Sequence, residues 1–204
     1  MRLLKDIPSI PKKLLKEYTL VKELPTEIIQ ELPKEARMSI ELLDGNKYTR
    51  EEVDEFMKWF SKKYLTNNKY LICGSYRRGL NWLKDVDLVV EINDNFPKLN
   101  INESGMVKSG NSREKYILPI GNGKRNIPVD IFYTTPHSWP FAILHFTGSK
   151  NFNIQTRFMA INKGYKLNEY GLFKNGKEIT GFKTEKEILK KILDKYYKPE
   201  ERNK

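Results

Sequence analysis

From Arg50 to Tyr64, apolar residues recur at Val53, Phe56, Met57, Phe60 and Tyr64, spacings of three and four that place them on one face of a helix. Thr49, with Glu52 three residues on, forms a capping box that opens it. Short runs of apolar and β-branched residues follow, and they read as strands at Tyr70 to Cys73, Val86 to Ile92, Lys115 to Ile120 and Ile127 to Tyr133. The last two are separated by the turn Gly121-Asn122-Gly123. A sheet of at least four strands, βαβ-like or mixed, is therefore expected.

Beyond Pro136 the pattern becomes helical from Asn151 to Lys163, stopping at Gly164. Short strands follow near Lys166 to Phe173 and Lys177 to Thr180, with Asn175-Gly176 as a hairpin signal. Thr184 and Glu187 form a second capping box, opening a last helix that buries Ile188, Leu189, Ile192, Leu193 and Tyr196 before Pro199. The basic tail after it is expected to fray. Pro8, Pro11, Pro25 and Pro33 restrict the N-terminal segment to helical pieces at Pro11 to Tyr18 and Pro25 to Leu32. The expected division is an irregular arm at 1–48, a sheet-bearing unit at 49–135 and a smaller C-terminal unit at 136–204.

The composition narrows the function. A chain of 204 residues with 39% hydrophobic and 12% aromatic residues can bury a core of its own. Its one cysteine, Cys73, lies in an apolar run and reads as a buried thiol in a reducing, intracellular compartment. No apolar stretch approaches the roughly twenty residues of a membrane span. With 37 basic and 26 acidic residues the net charge is +11, which favours a polyanionic partner, nucleic acid ahead of an anionic membrane surface. A solvated lysine-rich face is the alternative reading of that charge.

Candidate chemistry gathers around the expected sheet. Asp85 and Asp87 flank Val86, and the two-residue period of a strand sends both carboxylates to one face, about 7 Å apart. Paired hard oxygen ligands suit magnesium, and two metal ions are a recurring device for displacement at phosphorus. Asp130 sits inside the apolar run Ile127-Pro128-Val129-Asp130-Ile131-Phe132-Tyr133, where an unpartnered carboxylate is costly, and a metal shared with the first pair would offset that cost. Ahead of the pair, Gly74-Ser75-Tyr76-Arg77-Arg78-Gly79 leaves a strand through a glycine turn that offers backbone N–H groups, a hydroxyl and guanidinium groups to a phosphate chain.

Taken together, these segments resemble the nucleotidyltransferase superfamily and, within it, the family X DNA polymerases. The resemblance continues through His145-Phe146-Thr147-Gly148-Ser149, Asn151-Phe152-Asn153, Arg157, Lys163-Gly164-Tyr165, Leu167-Asn168-Glu169-Tyr170 and Lys195-Tyr196-Tyr197-Lys198-Pro199. It implies an α+β chain: a nucleotidyltransferase palm of mixed sheet with flanking helices, a small α+β nucleotide-selecting subdomain, and no complete lyase domain. It also implies two Mg2+ ions, with Mn2+ as a substitute, held by Asp85, Asp87 and Asp130 as the catalytic trio. Gly74, Ser75 and Arg78 would hold the β and γ phosphates, and Phe146 and Gly148 would lie under the sugar. Asn153 and Arg157, four apart on one helical face, would face the minor-groove side of the nascent pair. Lys150 and Tyr170 join Arg157 on the DNA side, with packing as the alternative for Tyr170.

Some positions depart from the family pattern. Lys84 stands where glycine is usual and is a candidate phosphate contact; Pro128 stands where a basic residue is usual; His145 replaces a tyrosine beside the nucleotide; Lys150 replaces an acidic residue. No Gly-x-Gly helix-hairpin-helix signature or lyase lysine is found near the N-terminus, where Lys5, Lys12, Lys13 and Lys16 serve either DNA grip or solubility. The resemblance implies a template-directed polymerase acting on gapped or nicked DNA with deoxynucleoside triphosphates, as a monomer. Short-gap repair synthesis is the expected task, in a virion or host cytoplasm if the source is viral. Template-independent nucleotidyl transfer and non-catalytic DNA-end binding are the competing readings.

Overall fold

The computed structural model describes the chain except residues 1–2, 8, 34–35, 38–39, 41–46, 95–96, 102–104, 122, 124 and 204, and gives backbone alone at 6, 26 and 106–109. The chain divides into two units, Met1–Lys47 and Tyr48–Lys204.

In the first unit, prolines keep the helices to a turn or so, α1 (Leu14–Glu17) and α2 (Thr26–Glu31), with 3-10 turns at Leu4–Asp6 and Val21–Glu23. The segment is nonetheless more than the irregular arm its prolines suggest. Leu4, Ile7, Leu14, Leu24, Leu32, Ala36 and Ile40 close a small apolar core, and Leu3 and Leu20 form an antiparallel bridge. Its apolar residues are brought together by turns rather than by a helical period, so no periodic pattern announces them.

The second unit opens with β1 (Tyr48–Thr49), which leads directly into α3 (Arg50–Tyr64). The capping box is formed: Thr49 Oγ1 accepts the Glu52 N–H (3.2 Å) and a Glu52 carboxylate oxygen accepts the Thr49 N–H (2.8 Å). Next come β2 (Tyr70–Ile72), the single turn α4 (Gly74–Arg77) and β3 (Trp82–Leu83), which pairs with β1. The main sheet is completed by β4 (Val86–Glu91), β5 (Met106–Ser109), β6 (Arg113–Ile120) and β7 (Arg125–Thr134). Its order is β2-β4-β7-β6-β5, mixed, with β4 and β7 parallel and every other neighbouring pair antiparallel. Asn122 of the expected β6–β7 turn lies outside the described residues.

The two faces of this sheet decide where the acidic residues go. Val86, Leu88 and Val90 of β4 and Val129, Ile131 and Tyr133 of β7 pack against Val53, Phe56, Met57 and Phe60 of α3. Phe60, fully buried there, contributes about 2 kcal/mol by its removal from water. With a period of two, Asp87 and Val89, and likewise Asp130 and Phe132, face the other side. There Cys73, Val89 and Phe132 meet Ala142 of α5 (Trp139–Thr147).

Helix α5 has a second apolar side. Phe141 and Leu144 join Phe152 and Ala160 of α6 (Lys150–Asn162) and Ile188, Leu189 and Ile192 of a further helix. Between the two lies a three-stranded antiparallel sheet, β8 (Lys166–Leu167), β9 (Leu172–Lys174) and β10 (Lys177–Ile179). The last helix is α7 (Glu185–Leu193), opened by the expected Thr184–Glu187 capping box and closed by Asp194 in the left-handed region. The tail beyond it is not frayed. It forms a 3-10 turn, Pro199–Arg202, and Arg202 is 1% exposed, paired with Glu185 at 3.1 Å. A basic tail read by composition alone conceals a buried carboxylate waiting for it.

Candidate active site

The site begins where β2 ends. The Cys73 N–H donates to the Asp87 carbonyl (2.7 Å), continuing the sheet one residue, and the chain then turns sharply at Gly74 with φ +55. A methyl group on Gly74 would lie 1.8 Å from an Asp87 carboxylate oxygen, so both the backbone angle and the space exclude a side chain. We predict that Gly74→Ala costs about 1–2 kcal/mol of stability through the left-handed backbone alone. It should also displace the Asp87 carboxylate, visible as lost nucleotide incorporation in a variant that still melts cooperatively.

The residues after Gly74 form α4 rather than an open glycine loop. Within it the N–H groups of Arg77 and Arg78 donate to the carbonyls of Cys73 and Gly74. The open run of N–H groups expected after Gly74 is therefore partly used within the turn, and the side chains of Ser75 and Arg78 are what this segment presents to the cleft. The Cys73 thiol is buried and pushed up to about 12 by that burial, which makes it a packing group rather than a nucleophile.

A cleft of about 560 Å³ opens above this turn. Gly74, Ser75, Arg78, Lys84, Asp85 and Asp87 line one side of it. His145, Phe146, Gly148, Lys150, Asn153 and Arg157 line the other. Leu80 and Trp82, which the sequence reading did not single out, also face it, and Trp82 is 58% exposed. Nothing in the local pattern marks Trp82; only its exposure in the fold does. Two candidates are placed elsewhere. Asp130 is 5% exposed beside the cleft, and Tyr170 lines a neighbouring hollow of about 210 Å³ with Arg113, Phe132, His145, Phe146 and Glu169.

Asp87 and Asp130 stand in register on the parallel strands β4 and β7, so their side chains share a face, and Asp85 has the same parity one residue ahead of β4. Burial, then the charge of Asp130, raises the Asp85 carboxyl above its ordinary range, with Lys115, Lys84 and Arg78 opposing. Burial, then Asp85 and Asp130, pushes Asp87 up to about 7 against the pull of Arg113 and Arg78. The carboxylates feel one another strongly. Among the described residues they do not yet form a closed metal-ligand cluster, because Asp130 faces two cations instead: Arg113 at 3.1 Å and Lys115 at 3.8 Å. Its Oδ1 is buried with no hydrogen bond of proper geometry. An orphaned oxygen beside two mutually repelling carboxylates is a donor set that fits hard divalent cations.

The opposite wall is held by polar contacts. Arg78 donates to the Thr147 carbonyl (2.5 Å) and to Asn203 Oδ1 (2.9 Å), and its guanidinium would be 3.2 Å from a methyl group on Gly148. The Asn153 amide donates to the His145 carbonyl (2.7 Å), which locks α6 to the end of α5. Phe146 stacks on Phe132 at 3.6 Å, and the His145 ring meets Phe146 edge-on at 4.8 Å. Burial lowers the His145 pKa, so the ring is neutral at physiological pH. Arg77, one residue from Arg78, also reaches Thr147, through its hydroxyl, and joins a partly buried network with Glu185.

This arrangement has counterparts among known proteins. Residues 142–203 match the family described as DNA polymerase beta thumb. The "Repair DNA polymerase X" of African swine fever virus is 33% identical over 147 residues, covering 69% of this chain and 84% of the viral protein. The chain belongs to the family X DNA polymerases. The "DNA polymerase/3'-5' exonuclease PolX" of Bacillus subtilis is 29% identical over 145 residues, covering 67% of this chain and 24% of that protein. Among solved structures, a ternary gap complex of Leishmania infantum polymerase beta superposes with a TM-score of 0.76 at 23% identity, covering 93% of this chain and 82% of that one. The α+β fold expected of a compact family X polymerase is thus the one observed. Within the family the chain is a DNA-directed DNA polymerase, and the matched thumb begins inside α5.

Proposed function

We propose that this family X polymerase adds templated deoxynucleotides to a primer 3′-hydroxyl and fills short gaps in duplex DNA during repair, with two divalent cations, Mg2+ or Mn2+, held by Asp85, Asp87 and Asp130. One observation carries the reading: the three aspartates share a sheet face, two of them lining and the third beside a cleft that also carries the cations Arg78, Lys84, Lys150 and Arg157. Divalent cations bound by such carboxylates acidify the attacking hydroxyl and offset the charge of a triphosphate during in-line displacement.

The chain's own groups complete the site. Ser75 and Arg78 bind the terminal phosphates, with Lys84 as an added cation. Phe146 and Gly148 form the floor under the sugar, where close backbone approach disfavours a 2′-hydroxyl. Asn153 and Arg157 lie toward the base pair, and Lys150 toward DNA. Asp130, beside the primer 3′-hydroxyl, would orient it and receive its proton. The net charge of +11 holds the DNA phosphates, so binding weakens with added salt.

The test is a duplex with a one-nucleotide gap, supplied with Mg2+ and the four triphosphates. The expected result is addition of the nucleotide complementary to the template base, and much less on a single-stranded primer. Incorporation that ignores the template would instead make the chain a terminal transferase. A salt-dependent mobility shift with no incorporation under either metal would make it a DNA-end-binding protein.

A further inference from the structure

Asp130 has no donor next to it on its own strand. Its immediate neighbours on that face of β7 are Pro128 and Phe132, and neither side chain can hydrogen-bond. Its partners come from β6, where Lys115 is directly opposite and Arg113 is opposite Phe132, one diagonal step away. Arg113 makes the shorter contact, 3.1 Å to Oδ1, the oxygen that has no hydrogen bond. Its guanidinium lies over the Phe132 ring, 4.7 Å from the centroid, and that ring is stacked on Phe146. A continuous stack thus runs from the cleft floor through Phe132 to the guanidinium that faces Asp130.

We propose that Arg113 is the positioning residue of this polymerase site: seated over Phe132, it fixes the rotamer of Asp130 and couples that carboxylate to the floor under the nucleotide. The inference rests on the polymerase reading above. A carboxylate on a strand has two free torsions, and burial alone leaves it several rotamers; a planar guanidinium pinned by an aromatic face selects one. Lys115, a point charge at 3.8 Å without a planar fork, balances charge without setting direction. Arg113 is not itself among the residues lining the cleft and reaches it through Asp130, Phe132 and its charge on Asp87, so its loss should damage the chemical step far more than nucleotide binding.

Arg113→Ala and Arg113→Lys test this together. Nucleotide affinity is read without turnover from the fluorescence of Trp82, with Trp59 and Trp139 replaced by Phe in every protein compared, on titration with Ca2+ and a deoxynucleoside triphosphate, and single-turnover gap filling gives the chemical rate. Arg113→Ala should slow chemistry at least 10-fold while nucleotide affinity stays within about twofold, and Arg113→Lys should recover a substantial part of the rate. The contact itself is read in metal-free buffer: Arg113→Ala should lower the melting midpoint by a few degrees, and should do so much less when Asp130 is already Asn. A rate within twofold of wild type, equal losses of rate and affinity, no gain from lysine, or tighter divalent binding in Arg113→Ala would each overturn the proposal. If the wild type itself fills no gap, the polymerase reading falls, while additive midpoints would independently remove the Arg113–Asp130 contact.

Discussion

Asp87→Asn is expected to abolish nucleotide incorporation and at the same time to stabilise the metal-free protein at neutral pH. The loss of activity should be at least about 100-fold, the scale of removing one preorganised electrostatic group from a site. The gain in stability follows from the carboxyl being raised from an ordinary 3.8 to about 7, by burial first and by Asp85 and Asp130 next. A carboxyl with a raised pKa in the folded state holds its proton more tightly folded than unfolded. Its contribution is therefore most favourable below about pH 4 and is lost as pH climbs toward 7. The full effect is on the order of 2–4 kcal/mol. The check is a pair of melting series without divalent ions. The midpoints of wild type and Asp87→Asn should coincide near pH 4, diverge in favour of the variant as pH rises, and run parallel above pH 7. Adding Mg2+ or Mn2+ at neutral pH should raise the wild-type midpoint more than that of the variant. Asp130→Asn separates the roles. It should lose incorporation just as completely but gain no comparable stability, because it leaves Arg113 and Lys115 without their shared carboxylate.

These effects trace to features that were unevenly visible along the chain. The amphipathic helix from Arg50 and both capping boxes were legible because their spacing is local: three and four residues for the face, three for the cap. The Asp85–Asp87 pair was legible for the same reason, since strand parity needs no partner. That Asp130 joins them depends on β4 and β7 being parallel neighbours in register, which no local pattern encodes; the cost of a lone carboxylate in an apolar strand and the motif resemblance pointed to it, but not to the register. Helix α5 was invisible to periodicity because Trp139–Thr147 is apolar almost throughout, as a helix buried between the main sheet and the C-terminal core must be. Strand β5 carries Met106-Val107-Lys108-Ser109, too short and mixed to stand out, and it exists because β6 offers it an edge. Arg113 and Lys115 were hidden differently. Their alternation with Glu114 and Tyr116 is a legible strand parity, but their meaning appears only once Asp130 is known to lie across the ladder.

Glu185→Gln is expected to be among the most destabilising single changes in the molecule and to weaken nucleotide binding from a distance. Glu185, at the first turn of α7, is 5% exposed and receives Arg77 at 2.7 and 2.9 Å and Arg202 at 3.1 and 3.2 Å. Burial works to raise its carboxyl, but the hydrogen bonds and charges of the two arginines outweigh it and hold the group below the ordinary carboxylate range. Removing the charge strands two guanidinium groups, one of them fully buried, at a cost of about 3–5 kcal/mol, which is roughly a 10 °C fall in melting midpoint for a unit of this size. The sign with pH is opposite to that of Asp87. A lowered pKa gives stability that is present above the unfolded value of about 4.5 and is lost as pH falls below it, so the deficit of Glu185→Gln should shrink in acid. The functional consequence comes through adjacency. Arg77 also donates to Thr147 Oγ1 (2.6 Å) at the end of α5, and the next residue, Arg78, lines the cleft and is the guanidinium proposed to bind the triphosphate. When Arg77 loses its carboxylate, the turn carrying Ser75 and Arg78 loses its anchor to α7. A displacement of about 1 Å in such a group can cost on the order of 100-fold. The nucleotide KM should rise by 10-fold or more below the melting transition, and Glu185→Asp should restore part of both losses. A Glu185→Gln protein with wild-type KM would show that Arg78 is positioned by its own contacts to Thr147 and Asn203 alone.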